Sequence, residues 1–207
     1  MVEIIDNSVQ LTMMFICTVL SAFLAAKRKK QSYVILACYY GTLVMGLLYW
    51  LSYDILTSYT PKIFYVSDLS WVGSYLFLLM LVTETSGRDE KAFRHPAAWI
   101  SPVVSTVMTI FYCHWGDYIE NIVWCGIMGT AGWFSIRGLI WAVRQKNTAR
   151  RNFHLSVLLL ITVEYCLWTA SCFWVSDSLS NPYFWFDFSL TACATLLLPV
   201  TKKAVGK

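Results

Sequence analysis

Charge is scarce in this chain. Only 14% of its 207 residues are Asp, Glu, Lys or Arg, against 57% apolar and 16% aromatic, too little polarity to clothe a soluble globule of this length. Histidine is scarcer still. His95, His114 and His154 fall near helix ends on differing sides, which removes the histidine cluster of a zinc hydrolase and the facing pair of a haem site. No lysine occurs between Pro182 and Lys202, so a retinal Schiff base inside the last helix is excluded. No nucleophile and base share a readable spacing, and neither an enzyme, a metal nor a cofactor is expected. A cleavable signal peptide is not expected either, because Met1 to Asp6 is acidic where such a peptide is basic. The seven cysteines lack metal-ligand spacing and sit mostly in apolar runs, where a thiol acts as a small hydrophobe. Cys113 and Cys125 are the exception, near one surface, where either a disulfide or two free thiols would fit.

What is present is a series of apolar blocks of roughly 18 to 23 residues, the length a helix needs to cross about 30 Å of hydrocarbon. The pattern predicts an all-α polytopic membrane protein, one domain of seven transmembrane helices over residues 8–26, 32–52, 63–83, 96–112, 121–143, 153–174 and 183–200. The connections alternate in charge. Lys27-Arg28-Lys29-Lys30, the stretch from Glu84 to His95, the stretch from Arg144 to Arg151 and the basic tail all fall on one side, and of sixteen Lys and Arg only Lys62 lies in an opposite loop. The positive-inside rule then places the N-terminus outside and the C-terminus in the cytoplasm. Most acidic residues, Asp117 among them, fall at the outer end. The basic face is expected to meet anionic lipid headgroups rather than nucleic acid. Trp50, Trp71, Trp115, Trp174 and Trp185 lie near the outer interface, where an aromatic belt is favoured.

Two stretches resemble each other. Trp50-Leu51-Ser52-Tyr53-Asp54, Pro61 and Phe64-Tyr65-Val66-Ser67-Asp68-Leu69-Ser70 match Trp174-Val175-Ser176-Asp177, Pro182 and Tyr183-Phe184-Trp185-Phe186-Asp187-Phe188-Ser189. With the fourth helix as linker, helices one to three would recur as five to seven, a 3+1+3 parallel repeat about an axis along the membrane normal. Asp54, Asp68, Asp177 and Asp187 would then ring one outer mouth and attract cations. For Asp68 and Asp187 the alternative is capping of helix N-termini.

Inside the apolar blocks, two charges stand out. Glu164 lies near the middle of the sixth helix, where an acidic residue costs roughly 2.5 to 3.5 kcal/mol. Arg137 lies in the fifth helix, displaced from the bilayer midpoint by about 7 Å, close enough to pair with Glu164 if the helices adjoin. The alternative for Glu164 is a hydrogen bond to Tyr40 or Thr162 that fixes packing; Tyr40 is also its counterpart in the repeat alignment. Gly126, Gly129 and Gly132 form a small-residue stripe suited to close approach, within the bundle or between two copies in a homo-oligomer. Pro102 and Pro199 can kink or end their helices.

The run Tyr65-Val66-Ser67-Asp68-Leu69-Ser70-Trp71-Val72-Gly73-Ser74-Tyr75-Leu76-Phe77-Leu78-Leu79 resembles helix entries in the multi-pass N-terminal sensor regions of bacterial signalling proteins, which precede diguanylate cyclase or histidine kinase domains. The likeness covers one helix and its loop, with helices two, six and seven more faintly. Only a short tail follows helix seven in this sequence, so either a truncated sensor module or signalling through a separate partner is expected, unless the likeness is superficial. It implies residence in a bacterial plasma membrane, a small or lipidic ligand taken from the outer side, and a cytoplasmic signalling partner. The other expectation is a small-solute transporter centred on Glu164 and Arg137. Sugar transporters of the 3+1+3 type carry a Pro-Gln pair in each repeat, and this chain has none.

Overall fold

A long apolar run in hydrocarbon must satisfy its backbone internally, and the chain does so throughout with helices. The computed structural model describes residues 2–57, 66–116 and 118–206. Its elements are α1 (Val2–Arg28), α2 (Gln31–Thr57), α3 (Val66–Thr85), the short α4 (Arg88–Ala92), a 3₁₀ turn Pro96–Trp99 leading into α5 (Ile100–Tyr112), α6 (Tyr118–Arg144), α7 (Thr148–Phe173) and α8 (Pro182–Ala204). The expected start of the third helix at Ile63, half of the expected outer loop (58–62, with Pro61 and Lys62), and Asp117 lie outside the described residues.

Most helices outrun their apolar cores. Helix α1 begins at Val2 rather than Ser8, because Glu3 and Asp6 suit the positive end of a helix and the Glu3 N–H donates to Asp177 Oδ1 at 2.9 Å. That extension puts Asp6 and Gln10 inside the bundle. Helix α2 continues past Ser52 to Thr57. Helix α7 starts at Thr148, where the Asn147 side chain accepts from the Arg150 N–H, and α8 starts at Pro182, capped by the Asn181 side chain on the Tyr183 N–H. Asn181 takes the capping role expected of Asp187.

Five helices, α1, α2, α3, α7 and α8, are long and apolar enough to cross a membrane. The Pro96–Tyr112 segment is apolar but shorter, and the 27-residue α6 carries Arg137 in its interior. Phe15, Val19 and Phe23 on α1 and Val103, Val107 and Ile110 on α5 face outward and exposed. Apolar stripes of that extent belong against lipid, not water.

Six helices form a ring in which α1 packs on α2, α2 on α3, α3 on α6, α6 on α7, α7 on α8 and α8 on α1, with α5 outside against α6. The glycine stripe serves this last contact. The Gly129 carbonyl accepts from Ser101 Oγ at 3.1 Å, and a Cβ at Gly132 would overlap that same Ser101 side chain. Gly126 faces open space, so the close approach is within the bundle.

The charged connection after α3 is folded, not merely solvated. Glu90 of α4 is buried; its Oε1 accepts from Ser86 Oγ at 2.7 Å and lies 2.8 Å from His154 Nε2, and its Oε2 accepts from an Arg150 guanidinium nitrogen at 3.1 Å. Arg150 also reaches the Thr85 carbonyl. Gly138 makes the room: a Cβ there would strike both the His154 ring and Glu90. The basic side is thereby clamped, α4 to α7 across α6, and Lys30 Nζ ties the first turn to the tail carbonyls of Val205 and Gly206.

Two outcomes follow. Gly132→Val lowers thermal stability in detergent by about 1 to 3 kcal/mol by forcing α5 from α6, whereas Gly126→Ala leaves it within about 0.5 kcal/mol. Burial opposes the Glu90 charge, but His154, Ser86 and Arg150 outweigh it and hold the carboxyl down, from 4.5 to about 2. A depressed carboxyl stabilises the fold fully above its unfolded value and ceases to do so as pH falls through the folded one. The melting temperature therefore drops between about pH 4.5 and 2, and Glu90→Gln, less stable at neutral pH, flattens that acid limb. An unchanged limb in the variant would assign acid sensitivity elsewhere.

Candidate functional site

The ring of six helices leaves a cavity of about 200 Å³ at the acidic end. Trp50 and Tyr39, which mark its top and bottom on α2, are eleven residues apart in the sequence, so the cavity runs about 16 Å down the helix axes. Its mouth is held by Glu3, whose Oε1 accepts from Trp50 Nε1 at 3.1 Å. Four tryptophans, Trp50, Trp71, Trp124 and Trp168, line the walls. They pair along the walls rather than across the space, Trp50 with Trp71 and Trp124 with Trp168, each with ring centroids 5.4 Å apart. Tyr39, Tyr75 and Tyr183 complete the aromatic lining.

Glu164 is buried in the deeper part of the cavity wall. Its position on α7 places one turn above it Trp168, whose Nε1 donates to Oε1 at 3.0 Å, while Tyr75 of α3 donates to Oε2 at 2.6 Å. Each carboxyl oxygen thus has its own donor, one from α7 itself and one from α3, the condition for seating such a group away from water. Asp187 of α8 also lines the cavity and accepts from Gln10 Nε2 of α1 at 2.8 Å. Asp6 Oδ1 and Trp124 Nε1 are buried with no hydrogen-bond partner among the described residues. Below the floor the packing is apolar and tight: Leu36, Leu78, Leu81, Val157, Leu160 and Leu197 are fully buried. The cavity is one-sided.

The expected centre is redistributed. Among the described residues no ion pair joins Glu164 to Arg137. Gly138 abuts His154, ten residues from Glu164 on α7, which sets Arg137 about 15 Å lower than the carboxyl. Arg137 is buried between Trp133 and Phe134, its guanidinium carbon 4.7 and 4.8 Å from their ring centroids, a cation–π seat. Tyr40 faces α8 and donates to the Ala194 carbonyl at 2.7 Å; its neighbour Tyr39 is the residue in the cavity. Thr162 bonds the Leu158 carbonyl of its own helix. Of the four outer aspartates only Asp187 lines the cavity. Asp177 is exposed and holds the α1 terminus, Asp54 is half-buried at the end of α2, and Asp68 is half-buried in the first turn of α3. Trp50 and Trp71 turn inward, leaving Trp115, Trp174 and Trp185 as the exposed belt. Cys113 and Cys125 are both free thiols.

Sequence reasoning passed over Tyr75, Trp168, Trp124 and Gln10. The four-residue spacing of Glu164 and Trp168 was a readable signal; the partners on α1, α3 and α6 depend on which helices adjoin. No family model, curated protein or solved structure matches the chain.

The two tyrosines are separable. Tyr75→Phe strips one donor from Glu164 and costs about 1 to 2 kcal/mol, with a change in tryptophan fluorescence because the bond lies among the cavity rings. Tyr40→Phe costs about 1 kcal/mol and leaves that emission unchanged.

Proposed function

We propose that this chain is a seven-helix membrane sensor, its acidic end outside and its basic end in the cytoplasm, that binds a small ligand in the cavity and signals to a cytoplasmic partner. The observation that carries the reading is the one-sided cavity, open among the acidic ends of the ring and closed beneath Glu164 by apolar packing. A ligand there touches all six ring helices, so its binding energy can bias their relative positions, and small helix shifts are a common means of signalling. The Glu90 clamp joins α4 to α7 at the other end and would carry such a shift to the basic face. The sidedness of Lys and Arg supports the orientation.

A transporter is the second reading, favoured by Glu164 within the cavity and by the helix pattern. In a 3+1+3 repeat α1, α2 and α3 correspond to α6, α7 and α8. Their lengths are 27, 27 and 20 against 27, 26 and 23 residues, and Lys29 and Lys146, in the turns after the first helix of each triplet, share positive φ values of 51° and 54°. The contacts of α1 with α8 and of α3 with α6 exchange under that correspondence.

Topology is tested on a cysteine-free chain in intact cells. A cysteine replacing Ser178 reacts with a membrane-impermeant maleimide from outside, and one replacing Gln145 reacts only after permeabilisation; the reverse overturns the orientation. In proteoliposomes, a ligand that perturbs tryptophan emission without accumulating supports the sensor, whereas accumulation abolished by Glu164→Gln establishes the transporter.

A further inference from the structure

We propose that the cavity selects a small organic ammonium ion carrying an apolar body, held against tryptophan and tyrosine faces and drawn in by Glu164 and Asp187. The inference rests on the ligand-binding reading but on neither choice between sensing and transport.

The lining charges are of one sign. Glu3, Glu164 and Asp187 line the space, and no Lys, Arg or His is among the described lining residues, so an anionic ligand would meet repulsion without a counter-charge. A wholly apolar ligand would strip water from carboxyl groups and offer nothing in return. An inorganic cation is disfavoured on different grounds. Hard ions need several converging oxygens, yet both Glu164 oxygens already accept from Tyr75 and Trp168, and no group of three or more metal-ligating side chains occurs among the described residues.

An alkylammonium ion satisfies what remains. Its charge is spread over carbon-bound hydrogens, so aromatic faces can replace its hydration shell while nearby carboxylates supply long-range attraction, the arrangement of an aromatic cage. Four tryptophans and three tyrosines of the lining supply such rings. Trp124 adds a separate indication: it is only 2% exposed and its Nε1 has no acceptor, a buried unmet donor that a ligand oxygen would satisfy. An ammonium with a hydroxyl or ether oxygen, as in an amino alcohol, matches both features.

The test uses the full-length protein in nanodiscs and compares choline with two isosteres in its own shape: the neutral alcohol with carbon in place of the quaternary nitrogen, and the corresponding carboxylate anion. Tetramethylammonium and benzyltrimethylammonium extend the size range. Binding is read by calorimetry and tryptophan emission. The cations bind saturably, and at least about tenfold more tightly than the neutral isostere, while the anion does not bind. Glu164→Gln and Asp187→Asn each weaken cation binding by about tenfold or more without weakening the alcohol, with near-ultraviolet circular dichroism showing that each variant is folded. Trp124→Phe reduces the advantage of choline over tetramethylammonium. Equal or tighter binding of the neutral isostere overturns the cation assignment and leaves the ligand-binding reading standing. Binding of the anion alone does the same. If no probe of any charge binds the folded wild type, both fall.

Discussion

Buried polar groups that have no water must find partners within the protein, and the bundle is organised around two carboxyl groups that obey this constraint in opposite ways. Glu164 is seated by Tyr75 and Trp168 beside an open space. Glu90 is seated by Ser86, Arg150 and His154 in a space closed to a methyl group's width by Gly138. Both sites depend on α7, which contributes Arg150 and His154 at one end and Glu164 and Trp168 at the other. Helix α7 also packs on both α6 and α8, so it is the element that the two carboxyl sites share.

Side-chain size explains why one end is hollow and the other sealed. The indole pairs Trp50–Trp71 and Trp124–Trp168 each join neighbouring helices, their planes tilted by 43° and 34°. Rings paired with neighbours along the wall leave space between the walls. Below Glu164 the inward residues change to Leu and Val, whose branched tips fill gaps between helices at the density of a protein interior. The same chain thereby contains a cage and a plug, one above the other.

That layering bears on the two proposed functions. A sensor needs the plug to stay closed while helices shift around it, and a transporter needs it to part. Leu78, Leu81, Val157, Leu160 and Leu197, all fully buried, set apolar side chains beneath the cavity floor. Arg137, the charge best suited by sequence to form a polar path with Glu164, is occupied by Trp133 and Phe134 at a lower level. A one-sided aromatic and acidic cavity above an apolar plug is therefore read here as a binding site first.

The sequence by itself determined that the chain is helical, with several runs long and apolar enough to cross a membrane. Apolar runs of membrane-spanning length can satisfy their backbone only as helices, and charge in the connections records which ends lie together; both are local properties. The cost of Glu164 was equally visible, because an acidic residue in such a run is conspicuous wherever it packs. Its partner Tyr75 on α3 was not, nor were the cavity neighbours Trp124 and Gln10 on α6 and α1, and Trp50 and Trp71 read as interface belts until rotation about the helix axes turned them inward. Likewise Glu90 and His154 belong to segments that look merely solvated. Only the tertiary structure decides such matters, because a helix's rotation and neighbours are set by side-chain packing across the whole bundle, and no single run contains that information.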